Sequence, residues 1–170
     1  VRESGGTVVF PPLTYRLDEP TGLRIYSNTT LIMHGARFVF TEDLREDGQA
    51  FRGDDVVNVR FEGGTVIGKR DDWDPGTNIA GIRLYGPCRN IHISGTRFEN
   101  LSSNGIGIFG ADDEHPIENV WIRDVATRNC CNFYGDYLVE VKGPAKGSVR
   151  EDQGNIALYH ADKWVVEGCD

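Results

Sequence analysis

Apolar and polar residues alternate along most of the chain in short runs, the two-residue period of a β-strand. One such run recurs. Asn58-Val59-Arg60-Phe61-Glu62-Gly63-Gly64-Thr65-Val66 lines up with Asn90-Ile91-His92-Ile93-Ser94-Gly95-Thr96-Arg97-Phe98 and with Asn119-Val120-Trp121-Ile122-Arg123-Asp124-Val125-Ala126-Thr127. Weaker copies begin at Thr30 and Lys163. Successive copies are 28, 32, 29 and 44 residues apart, three intervals near one value and one lengthened by an insertion. The stacked columns predicted from this alignment are Leu31, Val59, Ile91, Val120 and Trp164, then Met33, Phe61, Ile93, Ile122 and Val166. A third column runs through Ala36, Gly64, Thr96, Val125 and Cys169. Between the copies lies a second strand family: Gly81-Ile82-Arg83-Leu84-Tyr85, Gly105-Ile106-Gly107-Ile108-Phe109 and Asn155-Ile156-Ala157-Leu158-Tyr159.

A strand that meets its counterpart one repeat later, after the chain has gone round once, must pair with it in parallel. The pattern therefore predicts an all-β, single-stranded parallel β-helix of about five rungs. One β-helix domain spans 1–170, with a loop or extra-strand insertion at 129–153. The repeat is too short for a four-stranded propeller blade and lacks the helical period of ankyrin or tetratricopeptide units. A β-sandwich of short strands would not require the same motif to recur in register.

Composition narrows the picture further. The chain has 170 residues, 39% hydrophobic and 26% charged, with 21 glycines and one methionine. That is too apolar for disorder, and no apolar run approaches the roughly 20 residues of a membrane-spanning helix. Acidic residues outnumber basic ones by 26 to 18, a net charge of -8, which argues against a general nucleic-acid binder. Cys88, Cys130, Cys131 and Cys169 form no CxxC pair, so neither a zinc ribbon nor a thioredoxin-like motif is supported. The adjacent Cys130 and Cys131 read as two thiols buried in a sheet. The polar start Val1-Arg2-Glu3-Ser4-Gly5-Gly6 is no signal peptide: the protein does not use that route, or the chain is a mature or excised piece.

Gly-Gly-Thr-Val-Val-Phe-Pro-Pro-Leu-Thr-Tyr-Arg-Leu (5–17), followed by the Leu-rich stretch 23–38, resembles the opening of pectate-lyase-superfamily proteins. Residues 90–125 are similar to that superfamily's generic pair of rungs. The resemblance spans nearly the whole chain and implies a right-handed β-helix that works on polysaccharide. It also implies an extracellular or cell-surface location, while the acidic balance and the short apolar runs lead us to expect no nucleic-acid and no membrane partner. It does not choose a reaction: the superfamily holds hydrolases, lyases, epimerases and non-catalytic tailspikes. The hydrolase motifs are missing. The turns that would carry them read Thr77-Asn78-Ile79-Ala80, Ser102-Ser103-Asn104 and Asp152-Gln153-Gly154, and the single Gly-Asp-Asp, Gly53-Asp54-Asp55, falls in an early rung. Relatives carry a capping helix before the Gly-Gly segment that is absent here, and the last rung stops at Cys169-Asp170, just after a strand, so the chain is expected to be part of a longer solenoid or to be covered by a partner.

Candidate chemistry gathers in the turns and the insertion. Asp112 and Asp113, with His115, precede Pro116; Asp71, Asp72 and Asp74, with Trp73, precede Pro75. Each cluster follows a strand, and the two are expected along one flank. Paired carboxylates can serve as acid and base, and Asp71, Asp72 and Asp74 are weak candidates for calcium. The same residues are good turn formers. Trp73 could stack on a sugar ring. In the insertion, Asp136, Glu140 and Lys142 alternate outward, the carboxylates as catalytic groups and the lysine as a substrate contact. Arg83, between Ile82 and Leu84, is expected to point outward and exposed, able to hold a uronate carboxylate. His160, near Asp162, is a candidate acid, base or substrate contact, whereas His34 and His92 alternate with core positions and should face outward. Within the resemblance, four lysines and no recognisable lyase motif slightly favour a polygalacturonase-like glycoside hydrolase or a portion of one; the alternatives are a polysaccharide lyase, or a non-catalytic glycan-binding or structural β-helix such as a tailspike or surface module.

Overall fold

In the computed structural model, residues 2–41, 47–73, 77–131 and 154–170 are described, apart from the side chain of Asp47. Most of the expected 129–153 insertion, including Asp136, Glu140 and Lys142, lies outside them, as does Asp74. No helix occurs among the described residues, and every strand pair is parallel.

Three sheets wrap one core as a right-handed parallel β-helix. Sheet A stacks β1 (Gly6–Val9), β4 (Thr29–Ile32), β7 (Val57–Glu62), β10 (Arg89–Ser94), β13 (Ile117–Arg123) and β16 (Ala161–Glu167). Sheet B stacks β2 (Thr14–Leu17), β5 (Arg37–Phe40), β8 (Thr65–Ile67), β11 (Arg97–Glu99) and β14 (Ala126–Arg128). Sheet C stacks β3 (Leu23–Arg24), β6 (Asp47–Asp54), β9 (Asn78–Tyr85), β12 (Ile106–Phe109) and β15 (Ile156–Tyr159). Each inner strand pairs with its counterparts one turn before and one turn after.

The predicted columns form from β7 onward. Val59, Ile91, Val120 and Trp164 are in register, as are Phe61, Ile93, Ile122 and Val166. The first rung departs from the predicted alignment by two residues. Leu31 pairs with Phe61 rather than Val59, and Val59 pairs with Thr29, which is fully buried. The register is set by Asn28, not Thr30. Asn28, Asn58, Asn90 and Asn119 all sit at the corner entering sheet A with φ between 56° and 59°, a left-handed conformation that asparagine tolerates. Their amides form a ladder, with bonds of 2.8, 2.8 and 3.2 Å. The sheet B pairing Arg37 with Thr65 keeps the shorter spacing, so the turn around Met33–Ala36 absorbs the two extra residues.

Glycine in the Gly-Ile strands has a packing cause. Phe98 reaches from β11 into the corner between sheets B and C. A Cβ on Gly81 would lie 2.3 Å from its ring, and one on Gly105 would lie 2.9 Å away.

Candidate active site on the outer face of sheet C

The outward positions of sheet C form two parallel columns. The last positions of β9, β12 and β15 carry Tyr85, Phe109 and Tyr159 in register. Their rings stack at 5.5 Å with interplanar angles of 22° and 27°. Gly107 makes room for this, because the Phe109 ring folds back over it and a Cβ there would sit 2.7 Å from Cε2. Sequence reasoning missed this column, although its signal is plain: an aromatic stands four residues after Gly81, after Gly105 and after Asn155.

The corner that follows sheet C brings together two carboxylate–imidazole pairs. Asp112 Oδ1 lies 2.8 Å from His115 Nδ1 and accepts the backbone N–H groups of Glu114 and His115. This turn forms because a short carboxylate can satisfy the backbone two and three residues on. The His115 hydrogen bond, with the two backbone donors, holds the Asp112 carboxyl below its ordinary value. Asp113 Oδ1 lies 2.8 Å from Nδ1 of His160, a residue 47 positions later in the next rung. His160 itself holds a left-handed φ of 49°, a conformation found where surrounding structure over-determines a residue. An ionised carboxylate only accepts. Each Nδ1 is therefore the donor, and each Nε2 is left to exchange a proton or meet a ligand. The site is open: the Asp112, His115 and Asp113 side chains are 57%, 60% and 96% exposed.

Other expectations need correction. Trp73 is not available to a sugar. It is 6% exposed and packs edge-to-face on Phe40 at 5.9 Å, because a tight turn, with the Asp72 and Trp73 amides both on the Lys69 carbonyl, folds the indole back into the core. Arg83 is on the outer side of β9, but it is buried, 6% exposed. Its guanidinium donates to Asn78 Oδ1 at 2.7 Å and to Ser103 Oγ at 3.3 Å, within a polar layer that also buries Thr77, Ser102 and Asn104. The two acidic turns do not share a flank. Asp71 and Asp72 follow sheet B, whereas Asp112 and Asp113 follow sheet C. Asp71 pairs instead with Arg70 and Asn129. No three His, Cys, Asp or Glu side chains converge on a metal-sized site among the described residues. The four cysteines are free, and burial pushes the Cys88 and Cys131 thiols up to about 11 and about 12.

No protein-family model and no curated protein matches this chain. Its fold is similar to the crystal structure of a "putative glycosyl hydrolase" from Parabacteroides merdae ATCC 43184. The TM-score is 0.67 over 98% of this chain and 70% of that one, at 15% sequence identity. At so low an identity the likeness establishes the parallel β-helix and nothing finer.

Proposed function

We propose that the protein is a glycoside hydrolase acting on a polysaccharide laid along the outer face of sheet C. The observation that carries the reading is the Asp113–His160 pair, assembled from two rungs at the end of the aromatic column and beside the Asp112–His115 pair. A polymer substrate needs a surface open at both ends, and a sheet of parallel strands supplies one. The half-exposed rings of Tyr85, Phe109 and Tyr159 offer apolar contact to sugar rings. The name of the structural neighbour supports a carbohydrate substrate.

In this reading the His160 imidazolium, steadied by Asp113, gives its Nε2 proton to the glycosidic oxygen as the bond to the anomeric carbon breaks. His115, oriented by Asp112, takes a proton from the water that adds to that carbon. Acid–base groups of this kind contribute about 10²–10⁴-fold to rate. The test is reducing-end release from a panel of soluble polysaccharides. The wild-type chain should release ends, and Asp113→Asn or His160→Gln should lower the rate about a hundredfold or more. Unchanged rates in both variants would overturn the assignment, as would no release from any polymer. The openness of the four side chains favours a second reading, a glycan-binding module without turnover. Calorimetric binding without products would select it, and an unsaturated ultraviolet-absorbing product would instead mark a lyase.

A further inference from the structure

At one outward position of sheet C, arginine occurs in three consecutive strands. Arg24 of β3 pairs with Arg52 of β6, and Arg52 with Arg83 of β9. Adjacent strands lie about 4.8 Å apart, so like charges are stacked at that interval, an arrangement that disfavours the fold. It stands out in a chain whose net charge is -8.

The first two guanidinium groups share one carboxylate. Asp54 Oδ2 is 3.1 Å from Arg24 Nη2, and Oδ1 is 3.2 Å from Arg52 Nη2. Each also lies over an aromatic ring: Arg24 over Tyr26 at 5.8 Å, Arg52 over Tyr85 at 5.4 Å. Such stacking holds the planar group in place while leaving N–H edges to face a ligand. The Arg24 and Arg52 side chains are about half exposed. The next carboxylate, Asp55, leaves the strand at a left-handed corner, φ 53°. Among the described residues, two solvent-facing forks therefore answer to a single carboxylate, and Tyr85 ties them to the aromatic column.

We propose that Arg24 and Arg52, braced by Tyr26 and Tyr85, form an anion-recognising subsite that takes the carboxylate or sulfate groups of an acidic polysaccharide. The proposal rests on the reading that sheet C carries the glycan, and it names the substrate class. A planar guanidinium grips a carboxylate or sulfate through paired N–H donors, and the spacing of the two rungs is close to the length of one sugar unit in an extended chain. Asp54 acts as a built-in competitor. It keeps both forks aligned while the subsite is empty and repels the arriving anion.

Calorimetry on the full chain tests this with three probes: a uronic-acid homo-oligomer, its carboxyl-reduced neutral counterpart, and a sulfated oligosaccharide. The wild type should bind one of the anionic probes at least about tenfold more tightly than the neutral one, and lose that margin as salt is raised. Which anionic probe wins identifies the group recognised. The Arg24→Gln/Arg52→Gln double variant should erase the margin and leave neutral binding unchanged. Asp54→Asn should move the other way and tighten anionic binding, an effect that a merely structural ion pair would not produce. Equal affinity for acidic and neutral probes in the wild type would overturn the subsite while leaving the glycan reading intact, as would a retained margin in the double variant or weaker anionic binding by Asp54→Asn. Failure to bind any of the three would sink both. The glycan reading also has its own readout in the Asp113→Asn and His160→Gln rates.

Discussion

Phe98 shows how a single side chain dictates its neighbours. Its ring fills the angle between sheets B and C, and Gly81 and Gly105 present bare Cα atoms to it from successive rungs. A methyl group at Gly81 would need the ring or the strand to move, and both are fully buried. Gly81→Ala should therefore cost about 1–3 kcal/mol through overpacking, read as a lower urea midpoint, and Gly81→Ala with Phe98→Leu should recover part of it. An unchanged midpoint in the single variant would show that the corner is looser than its geometry implies. The Gly-Ile motif was legible in the sequence, but its cause was not, since the partner stands 17 residues away in another sheet. Trp73 and Arg83 misled for a related reason. Alternation tells which side of a strand a residue takes, not what lies on that side. Arg83 did take the outer side, and found Asn78 and Ser103 there. Trp73 sits in a turn, where alternation gives no direction at all.

At the scale of the strand and its corner, the asparagine ladder fixes the register. Asn90 donates to Asn58 and accepts from Asn119 while holding φ at 56°. Asn90→Ala loses both bonds and keeps the unfavourable φ, so it should destabilise by about 1–3 kcal/mol. Asn90→Gly relieves the backbone and loses only the bonds, so its urea midpoint should fall between those of wild type and the alanine variant. Equal midpoints for the two variants would mean that backbone strain plays no part. This ladder also explains the one rung that sequence alignment misplaced. Apolar alternation is blind to a shift of two, since Leu31 and Met33 are both inward-facing residues. Only the asparagine at the corner distinguishes the two registers, and in the first copy it stands at 28. The candidate site was partly legible by the same logic. The Asp112–His115 turn is local and could be read directly, whereas the Asp113–His160 pair depends on where one rung places the next.

Over the whole molecule, pH acts on the fold through groups on separate faces. The outer face of sheet A holds a concavity of about 320 Å³ lined by Arg60, Glu62, His92, Ser94, Trp121 and Arg123. His92 stacks on Trp121 at 4.6 Å. Burial first, then the Arg60 and Arg123 charges, lower its pKa from the ordinary 6.5. Glu62 lies 3.7 Å from Arg60 and Glu167 lies 2.8 Å from Arg123, so both nearby carboxylates are engaged by the arginines. As pH falls through 6.5 the unfolded chain takes up a proton at this histidine before the native chain does. The unfolded state then binds more protons, and stability declines until the native pKa is passed, below which this loss stops growing. Asp112 acts in the same direction but in a separate window. Its depressed carboxyl stabilises the fold above the unfolded value of 3.8, and that contribution is lost as pH falls through the native value. Across about pH 7 to about pH 5 the contribution of His92 to the urea midpoint should therefore fall. His92→Gln should lack that contribution, so its midpoint should fall less, or rise more, than that of the wild type over this range. A His92→Gln slope equal to that of the wild type would show that the imidazole titrates alike in both states, and that neither burial nor the arginines of sheet A hold it neutral.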